Sequence, residues 1–149
     1  MSVPDVVAHS VQQAQEWLKS LRDNAGLANT DEALAILRAV LHQLRDRLTV
    51  AEAVDFSQQL PTIIRGIYFE GWQPHRVPEK VNTQEEFIDK VTLKLLPRTN
   101  PADRAIRDVF ALLAHALDPG EIADVIAQMP AELKEFWPEN ARTFRERTR

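Results

Sequence analysis

No cysteine occurs among the 149 residues. That excludes disulfides, thiolate nucleophiles and every metal site built on sulfur. Glycine is scarce, at four residues, which argues for long regular segments rather than a loop-rich all-β domain. No apolar run approaches the roughly 20 residues that span a bilayer. The opening "MSVPDVVAHSVQQAQ" lacks the basic stretch and apolar core of a secretory signal. A basic excess is missing too: the formal net charge of −4 argues against a general nucleic-acid binder. Together these absences fit a cytoplasmic protein without membrane insertion.

What is present is helical patterning. The hydrophobic fraction of 44% supplies a core for one domain, or for two small units that share one. Val7, Val11, Ala14, Leu18 and Leu21 recur at helical spacing beside Trp17, and Gly26 in "NAG" fits a helix C-cap. Leu34, Leu37, Leu41, Leu44 and Leu48 form a second stripe, widened by Ala33 and Val40. Thr30 is the expected cap of that helix. Asp31 and Glu32 suit its positive end, and Arg45 and Arg47 its negative end. Thr49 and Glu52 have capping-box spacing, as do Thr83 and Glu86. Pro61 makes a corner after Leu60, with a short helix resuming at Thr62. "EGWQPHRVPEKVN" is aperiodic and reads as a connector. Beyond it, Phe87, Ile88, Val91 and Leu95 mark one helix, and Ala102, Ile106, Val109, Phe110, Leu113 and Leu117 the next. Asp118 then caps a further helix with Pro119 at its first position, and a short apolar "AELKEFW" follows.

A shift of 69 residues aligns residues 30–68 with residues 99–137 without a gap. Roughly ten of about forty positions are identical, and the cap, the apolar stripe and the proline corner stay in phase. Matched pairs include Glu52/Glu121, Asp55/Asp124, Gln59/Gln128 and Pro61/Pro130. The expectation is one all-α domain over residues 1–149, a bundle of about seven or eight helices from two pseudo-symmetric units. Unit 1 covers about residues 5–72, a connector 73–82, unit 2 about 83–138, and a tail 139–149.

"TDEALAILRAVLHQLRDRLTVAEAVDFSQQLPTIIRGIYFEGW", followed by "EEFIDKV", resembles the bacterial family known as domain of unknown function 2267. The resemblance runs over roughly residues 5–138, and Leu60-Pro61, Arg65-Gly66, Tyr68 and Gly71-Trp72 are its most specific part. The second copy departs from the pattern, with Met129 before Pro130 and Lys134-Glu135 where the first has Arg65-Gly66. A site built on Arg-Gly-x-Tyr therefore exists once. The resemblance implies an all-helical bacterial protein with no assigned activity.

Little in the sequence invites catalysis. Glu52, Glu86 and Glu121 occupy capping positions, and Asp55 and Asp124 have a helix-start or solvated role to set against a shared polar site. His9, His42, His75 and His115 lie in different segments, none paired at helical metal-binding spacing. The serines show no nucleophile elbow, and there is no glycine-rich phosphate loop. No catalytic residue, metal or cofactor is expected. The tail arginines Arg142, Arg145, Arg147 and Arg149 alternate with Glu139 and Glu146, as at a solvated end.

The remaining feature is residues 65–76. Arg65, Arg76 and His75 can surround Tyr68 and Trp72 with charge, and Tyr, Trp and Arg are the residues enriched at interface hot spots. Gly66 and Gly71 supply either close approach or a positive φ. The competing account is structural: Ile67 and Tyr68 align with Phe136 and Trp137, which would plug the bundle end. Residues Arg65, Gly66, Tyr68, Gly71, Trp72 and Arg76 are taken as the candidate binding surface of a non-enzymatic interaction or regulatory protein. Its partner is an unknown protein, with a homo-oligomer left open. The alternative is a small-molecule-binding protein or enzyme with a pocket between the two units.

Overall fold

The computed structural model describes residues 2–148 as ten helices and no strands, seven of the helices having seven or more residues. These are α1 (Asp5–Ala25), α2 (Thr30–Arg47), α3 (Val50–Ser57), α4 (Thr62–Phe69), α5 (Gln84–Leu95), α6 (Ala102–Ala116) and α7 (Pro119–Ala127). Three single-turn helices follow: α8 (Ala131–Lys134), α9 (Glu139–Arg142) and α10 (Phe144–Arg147). The all-α bundle expected from the periodicity is the fold.

α2 lies at the middle and packs against α1, α4, α5 and α6. Its burial is correspondingly broad. Ala33, Leu37, Val40, Leu41 and Leu44 are fully enclosed, and Ile36, Ala39, Gln43 and Arg45 on its flanks are buried as well. Leu34, the first member of the expected stripe, is only half-buried. Ile106, Val109, Phe110 and Leu113 of α6 and Phe87 and Val91 of α5 complete the centre. At one end Trp137 stacks on Phe110, with ring centroids 4.0 Å apart, and its indole N–H donates to the Met129 sulfur at 3.2 Å.

Local signals set most helix boundaries. Thr49 and Glu52 form a reciprocal capping box, each side chain accepting from the other residue's backbone N–H at 3.2 and 2.8 Å. Thr83 accepts from the Glu86 N–H at 3.1 Å, but the Glu86 carboxylate takes the Thr83 hydroxyl at 3.0 Å rather than a backbone group, so this box is only half made. Asp118 caps α7 by accepting from the Glu121 N–H at 3.1 Å. Gly26 ends α1 at φ 68°, the left-handed conformation that favours glycine.

Two expectations are corrected. Asn29, not Thr30, caps α2: its extended backbone aims the carboxamide at the Glu32 N–H, 2.9 Å away, which leaves Thr30 inside the first turn. Val7 and Val11 do not face the core. α1 is about 31 Å long at 1.5 Å per residue, its buried residues Ala14, Leu21 and Ala25 lie in its C-terminal two thirds, and its first turns overhang with Val7 and Val11 at 47% and 43% exposure.

Candidate functional site

The corner at Pro61 decides where α4 goes. Its ring ends the run that precedes it, and α4 then packs against α2 and α1. Arg65 is the clamp of this corner. Its Nε donates to the Ser57 carbonyl at 2.9 Å, which also accepts from the Leu60 N–H at 3.1 Å, and its Nη2 donates to the Leu60 carbonyl at 3.0 Å, so one guanidinium ties together the turn that follows α3. Three residues later Tyr68 is wholly buried. Its hydroxyl donates to the Ala53 carbonyl at 2.9 Å, and its ring packs on Phe56 and Phe69 at 5.6 and 5.0 Å. Burial pushes the Tyr68 phenol far above its ordinary value, so it stays protonated and donating.

Gly71 turns the chain at φ 68°, again where only glycine is unstrained. Gly66 is different: a Cβ there meets nothing within 4 Å, and no positive φ requires glycine. The turn lays Trp72 on Phe69, with centroids 5.3 Å apart. The indole is half-buried, and its N–H is covered but without a hydrogen-bond partner. Beyond it the chain makes a 3-10 turn, Pro74–Arg76, on which His75 and Arg76 are exposed. The six candidate residues therefore divide by depth. Arg65 and Tyr68 are committed to internal acceptors, whereas Gly66, Gly71, Arg76 and one edge of Trp72 face outward.

Three residues on α2 brace this region from beneath. Arg45 is 4% exposed and donates from Nη1 to the carbonyls of Tyr68 and Glu70 at 2.8 and 2.7 Å, while Asp46 holds the same guanidinium at 2.8 Å. The sequence reading placed Arg45 at the helix dipole. Its position four residues after Leu41, inside the apolar stripe, was the available signal for burial. The His42 Nε2 donates to the Ile67 carbonyl at 2.7 Å, and burial holds this imidazole below its ordinary pKa. The connector is pinned nearby: the Glu79 N–H donates to the Asp46 carbonyl at 2.8 Å, and Arg47 Nε to the Val81 carbonyl at 2.8 Å.

A second feature lies between α3 and α7. Glu52, Asp55 and Gln59 face Glu121, Asp124 and Gln128 across a cleft of about 300 Å³, floored by Phe56 and Val125. These are the polar pairs related by the 69-residue shift. Both walls carry carboxylates, so the cleft suits a positively charged group better than an apolar ligand. Asp124 is already ion-paired with Arg145. Among the described residues no group of three or more His, Asp or Glu side chains is arranged to hold a metal ion.

The tail arginines also have internal acceptors: Arg142 donates to the Trp137 carbonyl at 3.1 Å, Arg145 to the Gly120 carbonyl at 3.3 Å, and Arg147 to the Asn140 carbonyl. Arg149 lies outside the described residues. No helix among those residues is long and apolar enough to cross a membrane.

The family model described as "Uncharacterized conserved protein (DUF2267)" matches residues 14–136. The chain belongs to that family. The match to DUF2267 takes in the capped α3, the Pro61 corner, Arg65, Tyr68, Gly71 and Trp72, and it also covers both walls of the α3–α7 cleft. No curated protein matches the chain.

Proposed function

We propose that this DUF2267 protein is a non-enzymatic interaction or regulatory module whose contact face is the outer edge of α4 and the connector. Trp72 and Arg76 are its contacting side chains. Arg65, Tyr68 and Gly71 hold that edge in place.

The observation that carries this reading is the state of Trp72. Its ring is anchored on Phe69 while one edge stays open and its covered N–H lacks an acceptor. The N–H is enclosed, so what a partner gains is burial of the part of the ring that remains open, on an aromatic already held in place by Phe69. Exposed Arg76 and His75 add charge beside it in the chain. The competing reading, a small-molecule pocket between the two units, is weakened by the carboxylate-lined walls of the α3–α7 cleft.

Site-specific photocrosslinking in the native cell tests the proposal. A benzoyl-phenylalanine placed at Arg76 should give a discrete crosslinked product that the same group at Lys19, on the exposed side of α1, does not give. Equal labelling from both positions, or none from Arg76, counts against it.

A further inference from the structure

The outer face of α3 is a second, separate surface. By the 69-residue shift, Val50, Ala51, Val54 and Asp55 of α3 correspond to Pro119, Gly120, Ala123 and Asp124 of α7. The two helices start alike, with Thr49 and Asp118 each accepting from the N–H of a glutamate three residues on. Their outer faces differ in what covers them.

Over α7 the chain lays its own C-terminal segment, and both α9 and α10 pack on that helix. Phe144 and Ala141 close over Pro119 and Ile122, leaving a cavity of only about 220 Å³. Beside the aromatic, Arg145 donates to the Gly120 carbonyl at 3.3 Å and pairs with Asp124. Under this cover Ala123 is 8% exposed where the matched Val54 is 38%, whereas Pro119 stays exposed like Val50, and Ile122 and Ile126 are buried as are the matched Ala53 and Ser57. Among the described residues no such segment packs on α3. Val50 and Val54 stay 43% and 38% exposed, and the exposed Asp55 side chain makes no hydrogen bond or ion pair among the described residues. The chain after α4 runs instead to the end of α2, where Glu79 and Val81 are fastened.

We propose that the Val50–Val54–Asp55 face of α3 is a docking site for a short helical segment of a partner protein, one that carries an aromatic residue followed directly by arginine. The occupant is read from α7: an aromatic over the first turn, and a guanidinium shared between a backbone carbonyl and the aspartate. The carbonyl of Ala51 and the carboxylate of Asp55 are the corresponding acceptors. Glu52 and Glu121 in the adjoining cleft add negative potential that favours the same guanidinium. The segment must come from another protein, because this chain's own copy is seated on α7, and so is the tail of any second copy. This surface is distinct from the Trp72–Arg76 edge, and the two fail independently.

The test is fluorescence anisotropy with a labelled synthetic peptide of residues 138–149, "PENARTFRERTR", titrated against the full chain. Saturable binding is expected. Val54→Glu should abolish it and Asp55→Asn should weaken it by roughly fivefold, the scale of an exposed ion pair. Asp124→Asn should leave it unchanged, and circular dichroism confirms that each variant is folded. Peptide variants lacking Phe144 or Arg145 should not bind. No binding up to about 1 mM peptide overturns the proposal. So does dependence on Asp124 rather than Asp55, which would mean that the peptide had merely displaced the tail from α7. Concentration-dependent dimerisation of the intact chain with the Asp55 dependence would name a second copy as the occupant and overturn it as well.

Discussion

The guanidinium of Arg45 and the backbone carbonyl of Tyr68 lie 2.8 Å apart in the interior between α2 and α4. This contact ends α4 from within the core: the last carbonyls of that helix, which no turn of its own can satisfy, are met by a cation from the central helix. The same guanidinium holds the Glu70 carbonyl and Asp46, which Lys94 also approaches at 3.6 Å, so one side chain serves three acceptors. The edge that presents Gly71 and Trp72 begins there.

Removing that cation should therefore be costly. Arg45→Met leaves two carbonyls without this donor and Asp46 with only Lys94, 3.6 Å away, and we expect a loss of about 3 kcal/mol, the scale seen when one partner of a buried pair is removed. Urea unfolding followed by far-ultraviolet circular dichroism measures it. A loss below about 1 kcal/mol would mean that water replaces the guanidinium without penalty.

The corner clamp makes a prediction that separates the two halves of the chain. Arg65→Ala leaves the Leu60 carbonyl without this donor and the Ser57 carbonyl with the Leu60 N–H alone, and should lower stability by about 1–2 kcal/mol; Tyr68→Phe removes the hydroxyl bond to the Ala53 carbonyl and should cost about 1 kcal/mol. Lys134→Ala, at the position matched to Arg65, should be nearly neutral, because Lys134 makes no such bonds among the described residues. Equal effects at Arg65 and Lys134 would remove the argument that Arg65 is a clamp.

The two glycines of the Arg-Gly-x-Tyr stretch should respond with opposite signs. Gly66→Ala finds open space inside α4 and should stabilise the fold by about 0.5–1 kcal/mol. Gly71→Ala forces a side chain into φ 68° and should cost about 1 kcal/mol or more. Thermal unfolding of both variants decides the matter. A destabilising Gly66→Ala would point to a contact that the isolated chain does not show.

His42 predicts a pH slope. Burial lowers its pKa in the folded state, partly offset by the Ile67 carbonyl and reinforced by Arg45. The unfolded chain therefore binds the proton more readily, and stability must fall as the pH drops below the ordinary imidazole value of about 6.5 toward the lower folded value. Above that window the contribution is constant. His42→Gln should flatten the slope between about pH 7 and 5.5, as measured by urea midpoints at each pH.

Much of this arrangement can be read from local patterns. The stripes on α2, α5 and α6, the Thr49–Glu52 box, the Asp118 cap and the Pro61 corner depend on neighbours within a few residues, so the sequence carries them openly. The features it conceals depend on distant partners. Thr30 reads as the cap of α2 until the backbone at residue 29 is known to be extended. Val7 and Val11 have core-like spacing, but nothing local tells that α1 outruns its neighbours. Arg45 reads as a partner of the helix dipole and His42 as an unpaired histidine, because the apolar stripe does not reveal that α2 is enclosed on its flanks as well. For the candidate surface, the residue types do not show depth. Arg65 meets carbonyls at and just after the end of α3 and Tyr68 the Ala53 carbonyl in the middle of that helix, relationships set by the angle of the corner rather than by composition.

The most direct test of the contact face is affinity purification from the native cell, comparing the wild-type chain with Trp72→Ala/Arg76→Ala by quantitative mass spectrometry. Both proteins must first show the same melting temperature within a few degrees. The account predicts that at least one stoichiometric partner present with the wild type is lost with the variant. Identical partner sets from two equally stable proteins would contradict it.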